Sequence, residues 1–275
     1  DNNFTGAVSV VSGKDVGLWD QNALVLGVSA VSGNLGVTSS GAITQTGALT
    51  VTGTTSLTAG STNDITLTNS DNNFTGAVSV VSGKDVGLRD QNALVLGVSA
   101  VSGNLGVTSS GAITQTGSLT VTGTTSLTAG STNDITLTNS DNNFTGAVSV
   151  VSGKDVGLWD QNALVLGVSA VSGNLGVTSS GAITQTGSLT VTGTTSLTAG
   201  STNDITLTNS DNNFTGAVSV VSGKDVGLRD QNALVLGVSA VSGNLGVTSS
   251  GAITQTGALT VTGTTTLTAG STNDI

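Results

Sequence analysis

Along the chain, apolar and polar residues alternate in short runs that stop at Gly, Asn or Asp: AVSVVSG, KDVGLWDQ, NALVLG, VSAVSG, NLGVTSSG, AITQTG, ALTVTG, TTSLTAG and STNDITLTNS, the last followed by DNNFTG. Alternation with period 2 in runs of four to six residues, rich in Val, Ile and Thr, is the pattern of half-buried strands. No segment carries apolar positions at helical spacing over ten residues or more, and β-branched side chains are stiff in helices. The period predicts an all-β chain with nine strands in this stretch. It sends Val8 and Val10, Val16 and Leu18, Leu24 and Leu26, Leu35 and Val37, Leu49 and Val51, Ile65 and Leu67, and also Phe4, to the inside.

The stretch is one unit of a tandem array. It begins DNNFTGAVSVVSG at positions 1, 71, 141 and 211, so the units are 1–70, 71–140, 141–210 and 211–275, the last five residues short. Units of an array bury their core against neighbours rather than alone, so the domain count from length does not apply. The expectation is a single continuous body over 1–275, cut from a longer array.

Strands this short and closely spaced can be wound as a sandwich or as a coil. Asn-Gly and Asp-Gly, the strong two-residue hairpin signals, occur nowhere in the sequence. Coiling is therefore expected: a parallel β-helix, or β-solenoid, with three short strands per coil and about three coils per 70-residue repeat, roughly eleven or twelve coils in all.

Only three positions differ between copies: Trp19/Arg89/Trp159/Arg229, Ala48/Ser118/Ser188/Ala258 and Ser56/Ser126/Ser196/Thr266. Each is next to a residue assigned inward, so alternation turns all three outward. An inward position could not exchange Trp for Arg, because a buried unpaired guanidinium is costly and a packed core does not absorb the change in volume. Trp19, Arg89, Trp159 and Arg229 are thus surface-contact candidates.

Composition narrows the chemistry. Sixteen acidic residues against six basic ones give a net charge of −10, which disfavours nucleic-acid backbones as partners. The longest apolar stretch, around residues 23–28, is far too short to span a bilayer. Without His, Cys or Glu, general acid–base or nucleophilic work falls to Asp1, Lys14, Asp15, Asp20 and Asp64. Lys14 and Asp15 read as a solvated corner pair, and the chain is expected not to be an enzyme.

In the longest turn, Asn63, Asp64, Asn69, Asp71, Asn72 and Asn73 cluster. Hard oxygens of this kind suit Ca²⁺, with Asp64, Asn69, Asp71 and Asn73 as the candidate ligands, and the same residue types also stabilise tight turns. The spacing matches no standard calcium loop, and no other cofactor is expected. Thr pairs at Thr44/Thr46, Thr50/Thr52 and Thr66/Thr68 are compatible with an ice-binding face or an ordinary outward β-surface. Asn3-Phe4-Thr5 fits the N-glycosylation pattern.

The runs NDITLTNSDNNFTGAVSVVSG and GAITQTGALTVTGTTSLTAG resemble the shaft repeats of filamentous-haemagglutinin-type bacterial adhesins, across all four copies. That resemblance implies a secreted, right-handed β-helix on a Gram-negative cell surface, serving adhesion, biofilm or cell contact. No catalytic residue carries over. The family's Asn-Pro secretion motifs are absent from a chain without Pro. The leading expectation is a rigid extracellular shaft or fibre whose partners are other copies of itself, laterally or end to end. The alternative is a binding module whose solenoid face recognises glycan or ice.

Overall fold

A computed structural model describes residues 2–275, and Asp1 lies outside the described residues. The chain is an all-β parallel β-solenoid of about 13 turns. It divides into two compact units, Asp1–Gly146 and Ala147–Ile275.

In the first unit the strands are β1 (Val16–Asp20), β2 (Leu24–Leu26), β3 (Ser29–Val31), β4 (Leu35–Ser39), β5 (Ile43–Gln45), β6 (Leu49–Val51), β7 (Thr55–Thr58), β8 (Ile65–Leu67), β9 (Asn73–Phe74) and β10 (Val78–Ser82). They continue as β11 (Val86–Asp90), β12 (Leu94–Leu96), β13 (Ser99–Val101), β14 (Leu105–Ser109), β15 (Ile113–Gln115), β16 (Leu119–Val121), β17 (Thr125–Thr128), β18 (Ile135–Leu137) and β19 (Asn143–Phe144). The two-residue strand Asn73–Phe74, hidden in what reads as a long turn, is the one the sequence period does not announce.

Among the described residues the strand pairings are parallel. One long sheet runs β1-β4-β7-β10-β12-β15-β18 and a second runs β2-β5-β8-β11-β14-β17, and between them they wall the core from either side. Short third sides are β3-β6-β9 and β13-β16-β19. The first of these lies where the chain passes from the second long sheet to the first, the other where it passes from the first to the second.

The same strand order holds the second unit. There Val148–Ser152, Leu164–Leu166, Ile183–Gln185, Ile205–Leu207, Val226–Asp230, Leu245–Ser249 and Thr265–Thr268 form one wall. Val156–Asp160, Leu175–Ser179, Thr195–Thr198, Val218–Ser222, Leu234–Leu236 and Ile253–Gln255 form the other.

The ladder fixes the winding number. From β1 the chain crosses to β2 on the other wall, and β2, β5, β8 and β11 are then successive neighbours. Val16 and its equivalent Val86 are therefore separated by a half turn and three whole turns. The repeat is three and a half turns rather than about three, because each turn uses close to twenty residues: Val16 pairs with Leu35, and Leu35 with Thr55. Equivalent residues of consecutive copies stand on alternate walls.

The core is the narrow aliphatic column the alternation predicts. Val78, Val80, Val86, Leu88, Leu94, Leu96, Leu105, Val107, Leu119, Val121, Ile135 and Leu137 are all buried, and Phe74, Phe144 and Phe214 are the largest side chains within it. Phe4, expected inside, is 37% exposed in the first turn. Stacked apolar rows of this kind are the main source of stability in a solenoid, since each turn contacts only its neighbours.

Candidate surface contact and the interior polar sites

Strand β1 reads VGLWD and β11 reads VGLRD, and the period-2 pleat fixes what each position does. Val86, Leu88 and Asp90 point inward and are buried, while Arg89 points out and is exposed. Trp19 occupies the same outward position in β1, at 39% exposure. Through the half-turn offset, Trp19 stands on the first long sheet and Arg89 on the second. The second unit repeats the arrangement, with Trp159 in the wall of Leu175–Ser179 and Arg229 in the wall of Leu245–Ser249. Trp159 is half-buried, and its Nε1 is covered with no acceptor.

The surroundings of these side chains are small and flat. Trp19 is flanked across the ladder by Thr38, and Arg89 by Thr108. Two residues back on each strand, Gly17 pairs with Gly36 and Gly87 with Gly106. A Cβ added at Gly17 would meet nothing within 4 Å, whereas one added at Gly87 would stand 3.1 Å from Thr68 Cγ2 on the adjoining turn. Neither Arg89 nor Arg229 has an ion-pair partner among the described residues.

The acidic candidates are held as structure. Asp85, the copy of Asp15, accepts hydrogen bonds from the backbone N and the Nδ2 of Asn104 at 2.8 and 3.0 Å, and pairs with Lys84 at 3.3 Å. The backbone bond from Asn104, and then Lys84, hold its carboxyl below the usual carboxylate range. Asp155 and Asp225 are lowered in the same way by Asn174 and Asn244. This is an exposed corner clamp between adjacent turns.

Asp90, the copy of Asp20, is fully buried and accepts from the backbone N of Phe74 and of Asn92, both at 2.7 Å. Burial pushes its carboxyl up, and the two backbone bonds oppose that. Asp230 behaves alike with Phe214 and Asn232. Asp20 shares the parity of Val16 and Leu18, and that was the available signal for its inward position.

The calcium candidates fall into separate roles. Asn69 Oδ1 accepts from Asp71 N at 2.9 Å, a local turn bond. Asp64 Oδ1 accepts from Asp85 N at 3.3 Å, and Asn73 lies in β9 paired with Thr50. Among the described residues no three His, Cys, Asp or Glu side chains group as metal ligands. Asn72 instead is wholly buried, where its amide bonds Gln45, Leu49 N and Leu67 O. Sequence reading placed Asn72 in the turn and missed this network, because the pairing of Asn72 with Gln45 depends on which turn stacks on which.

The Thr rows are short. Thr44 pairs with Thr66, but the row continues to Val25 on one side and Gly87 on the other. An open groove of ≈ 420 Å³ between Ser79, Val81, Val98 and Ala100 recurs in the second unit at ≈ 500 Å³, beside Ser219, Val221, Val238 and Ala240.

The family described as repeats of unknown function (DUF5649) matches residues 13–81, 83–151, 153–221 and 223–275. No curated protein and no solved structure matches the chain.

Proposed function

The chain belongs to the DUF5649 repeats, and from that premise, for a repeat β-solenoid structural protein, we propose a specific role: a stiff spacer in a shaft or fibre outside a bacterial cell, holding an adhesive or cell-contact element away from the surface. The observation that supports this reading is the sameness of the copies. Each repeats the same ladder, buried rows and corner clamps, so no turn is set apart as a site, whereas an active site is normally built once. Solenoids of this kind resist unfolding through contacts between neighbouring turns, and lengthening them adds reach without new chemistry.

The extracellular, Gram-negative placement and the adhesin role rest on the resemblance of NDITLTNSDNNFTGAVSVVSG to haemagglutinin-type shafts. In this reading the protein is not an enzyme, uses no cofactor and meets other copies of itself. Two measurements test it. End-to-end length by small-angle scattering should grow in proportion to copy number for arrays of two, four and six repeats; collapsed particles of constant size refute the spacer. Antibodies to the repeats should label intact cells, and labelling only after permeabilisation refutes the surface location.

A second reading, recognition of a glycan by a solenoid face, is favoured by the exposed indole of Trp19, since aromatic rings stack on sugars. Glycan binding lost in Trp19→Ala/Trp159→Ala would support it over the spacer.

A further inference from the structure

A repeat of three and a half turns relates consecutive copies by a half rotation about the solenoid axis, combined with a shift along it. If all copies were identical, the two walls would be identical too. In each unit the exchange of Trp for Arg is the largest of the outward differences that break that equivalence, beside the small exchanges Ala48/Ser118 and Ser188/Ala258 and Ser196/Thr266. Within the first unit the wall of β1 carries Trp19 and the wall of β11 carries Arg89. Within the second, Trp159 and Arg229 are divided between walls in the same way. Within each unit the outward exchange is thus sorted by geometry into an indole wall and a guanidinium wall.

We propose that these two walls are the complementary halves of one self-association surface, the indole wall of one copy docking on the guanidinium wall of a second copy of this chain. The proposal deepens the fibre reading above and rests on it for the occupant alone.

Charge and shape argue for the second copy. The chain carries a net charge of −10, so copies repel unless a cation is delivered to a defined place. Arg89 and Arg229 are exposed cations with no acidic partner among the described residues. A guanidinium over an indole face is a favourable pairing, and the solvent-exposed form is weak, as suits lateral contacts repeated along an assembly. Beside each lies a glycine pair, Gly17–Gly36 or Gly87–Gly106. A Cβ on Gly87 would stand 3.1 Å from Thr68 Cγ2, so these bare positions keep the surface beside each contact residue flat.

The arrangement also selects the mode of docking. Two copies facing each other across a two-fold axis would set Arg against Arg or Trp against Trp. Two copies lying parallel bring unlike walls together, and sliding one by three and a half turns, about 17 Å at the usual strand spacing, sets Trp19 on Arg89. Such a contact is heterologous and leaves an indole wall and a guanidinium wall free on the outer sides, so association continues beyond a dimer.

The test uses the full chain and its own fluorescence, because Trp19 and Trp159 are the sole tryptophans and there is no tyrosine. With rising concentration, sedimentation should show species that grow past the dimer, accompanied by a shift of Trp emission to shorter wavelength. Arg89→Ala/Arg229→Ala should weaken association at least tenfold and abolish the shift, while Arg89→Lys/Arg229→Lys retains part of both. An all-guanidinium chain (Trp19→Arg/Trp159→Arg) and an all-indole chain (Arg89→Trp/Arg229→Trp) should each associate poorly alone and associate when mixed.

A wild-type chain that stays monomeric throughout its soluble range overturns the proposal. So does undiminished association of the Arg→Ala variant, or self-association of the all-indole chain as tight as wild type. Circular dichroism and length scaling are read on the same samples. If they are unchanged while association fails, the contact is wrong and the spacer stands; if scaling fails, the spacer itself is wrong.

Discussion

The side-chain amides of Asn142 and Gln115 bond to each other in both directions, Gln115 Nε2 donating to Asn142 Oδ1 and Asn142 Nδ2 to Gln115 Oε1, each at 2.8 Å. Asn142 is wholly buried and Oδ1 also accepts from Leu119 N at 2.9 Å, while Nδ2 donates to Leu137 O. One amide thus ties together Gln115, Leu119 and Leu137, on three successive stretches of chain. Replacing it takes the acceptor from the buried Leu119 N, at about 1–3 kcal/mol, while Gln115 keeps Gly117 O and Asn139 N. Asn142→Ala should speed hydrogen exchange at the Leu119 amide by two orders of magnitude or more. Unchanged protection would show that the network is dispensable.

Thr125 sits inward between rows of aliphatic side chains, paired with Leu105, and its Oγ1 has no partner. Thr55 and Thr195 repeat the defect. Valine has nearly the same shape without the hydroxyl, so Thr125→Val should raise stability by about 1 kcal/mol. A lowered thermal midpoint would mean that the hydroxyl makes a bond in solution.

The carboxylates act in opposite directions with pH. Asp90 and Asp230 have raised folded values, so the native state takes up protons before the unfolded chain does, and their contribution grows as pH falls through the folded value. Asp85, Asp155 and Asp225 have lowered folded values; their contribution is full above the usual carboxylate range and is lost as pH falls through the folded value. The thermal midpoint should therefore rise slightly on mild acidification and fall again below the usual carboxylate range, modestly because these three carboxylates are exposed. Asp90→Asn/Asp230→Asn should remove the rise and keep the drop. If the rise persists in that variant, the buried pair is not its source.

Gly103 and Gly123 stack at one corner, Gly123 N donating to Gly103 O at 2.8 Å. A Cβ on Gly123 would lie 2.5 Å from that oxygen, whereas one on Gly106 would approach only Val86 O, at 3.9 Å. Gly123→Ala should cost about 2 kcal/mol or more, and Gly106→Ala should be neutral or slightly stabilising. Equal effects in chemical denaturation would refute the corner as a steric limit.

Much of this fold is written in local alternation. The inward rows Leu24–Leu26, Leu35–Val37 and Leu49–Val51 follow from period 2 alone, and a position that accepts both Trp and Arg can only face out. The winding number is different. It depends on small differences in corner length, such as the longer loop between Thr58 and Ile65, and these decide which residue lies over which. Gln45 and Asn72, or the separate walls of Trp19 and Arg89, become neighbours or strangers only once that sum is known. Asp20 shows the intermediate case: its parity points inward, and what holds a carboxylate there, the bonds from Phe74 N and Asn92 N to the equivalent Asp90, depends on the stacking of turns.

The half turn left over in each 70-residue copy gives the gene a parity. Recombination between near-identical copies can add or drop one unit, and a single added unit would hand every later residue to the opposite wall. Two added units restore it. A lineage that kept the alternation would have to gain and lose length in steps of 140 residues, and an odd step would be visible at once as two copies of the same spelling in a row, WW or RR, where the chain now reads W, R, W, R.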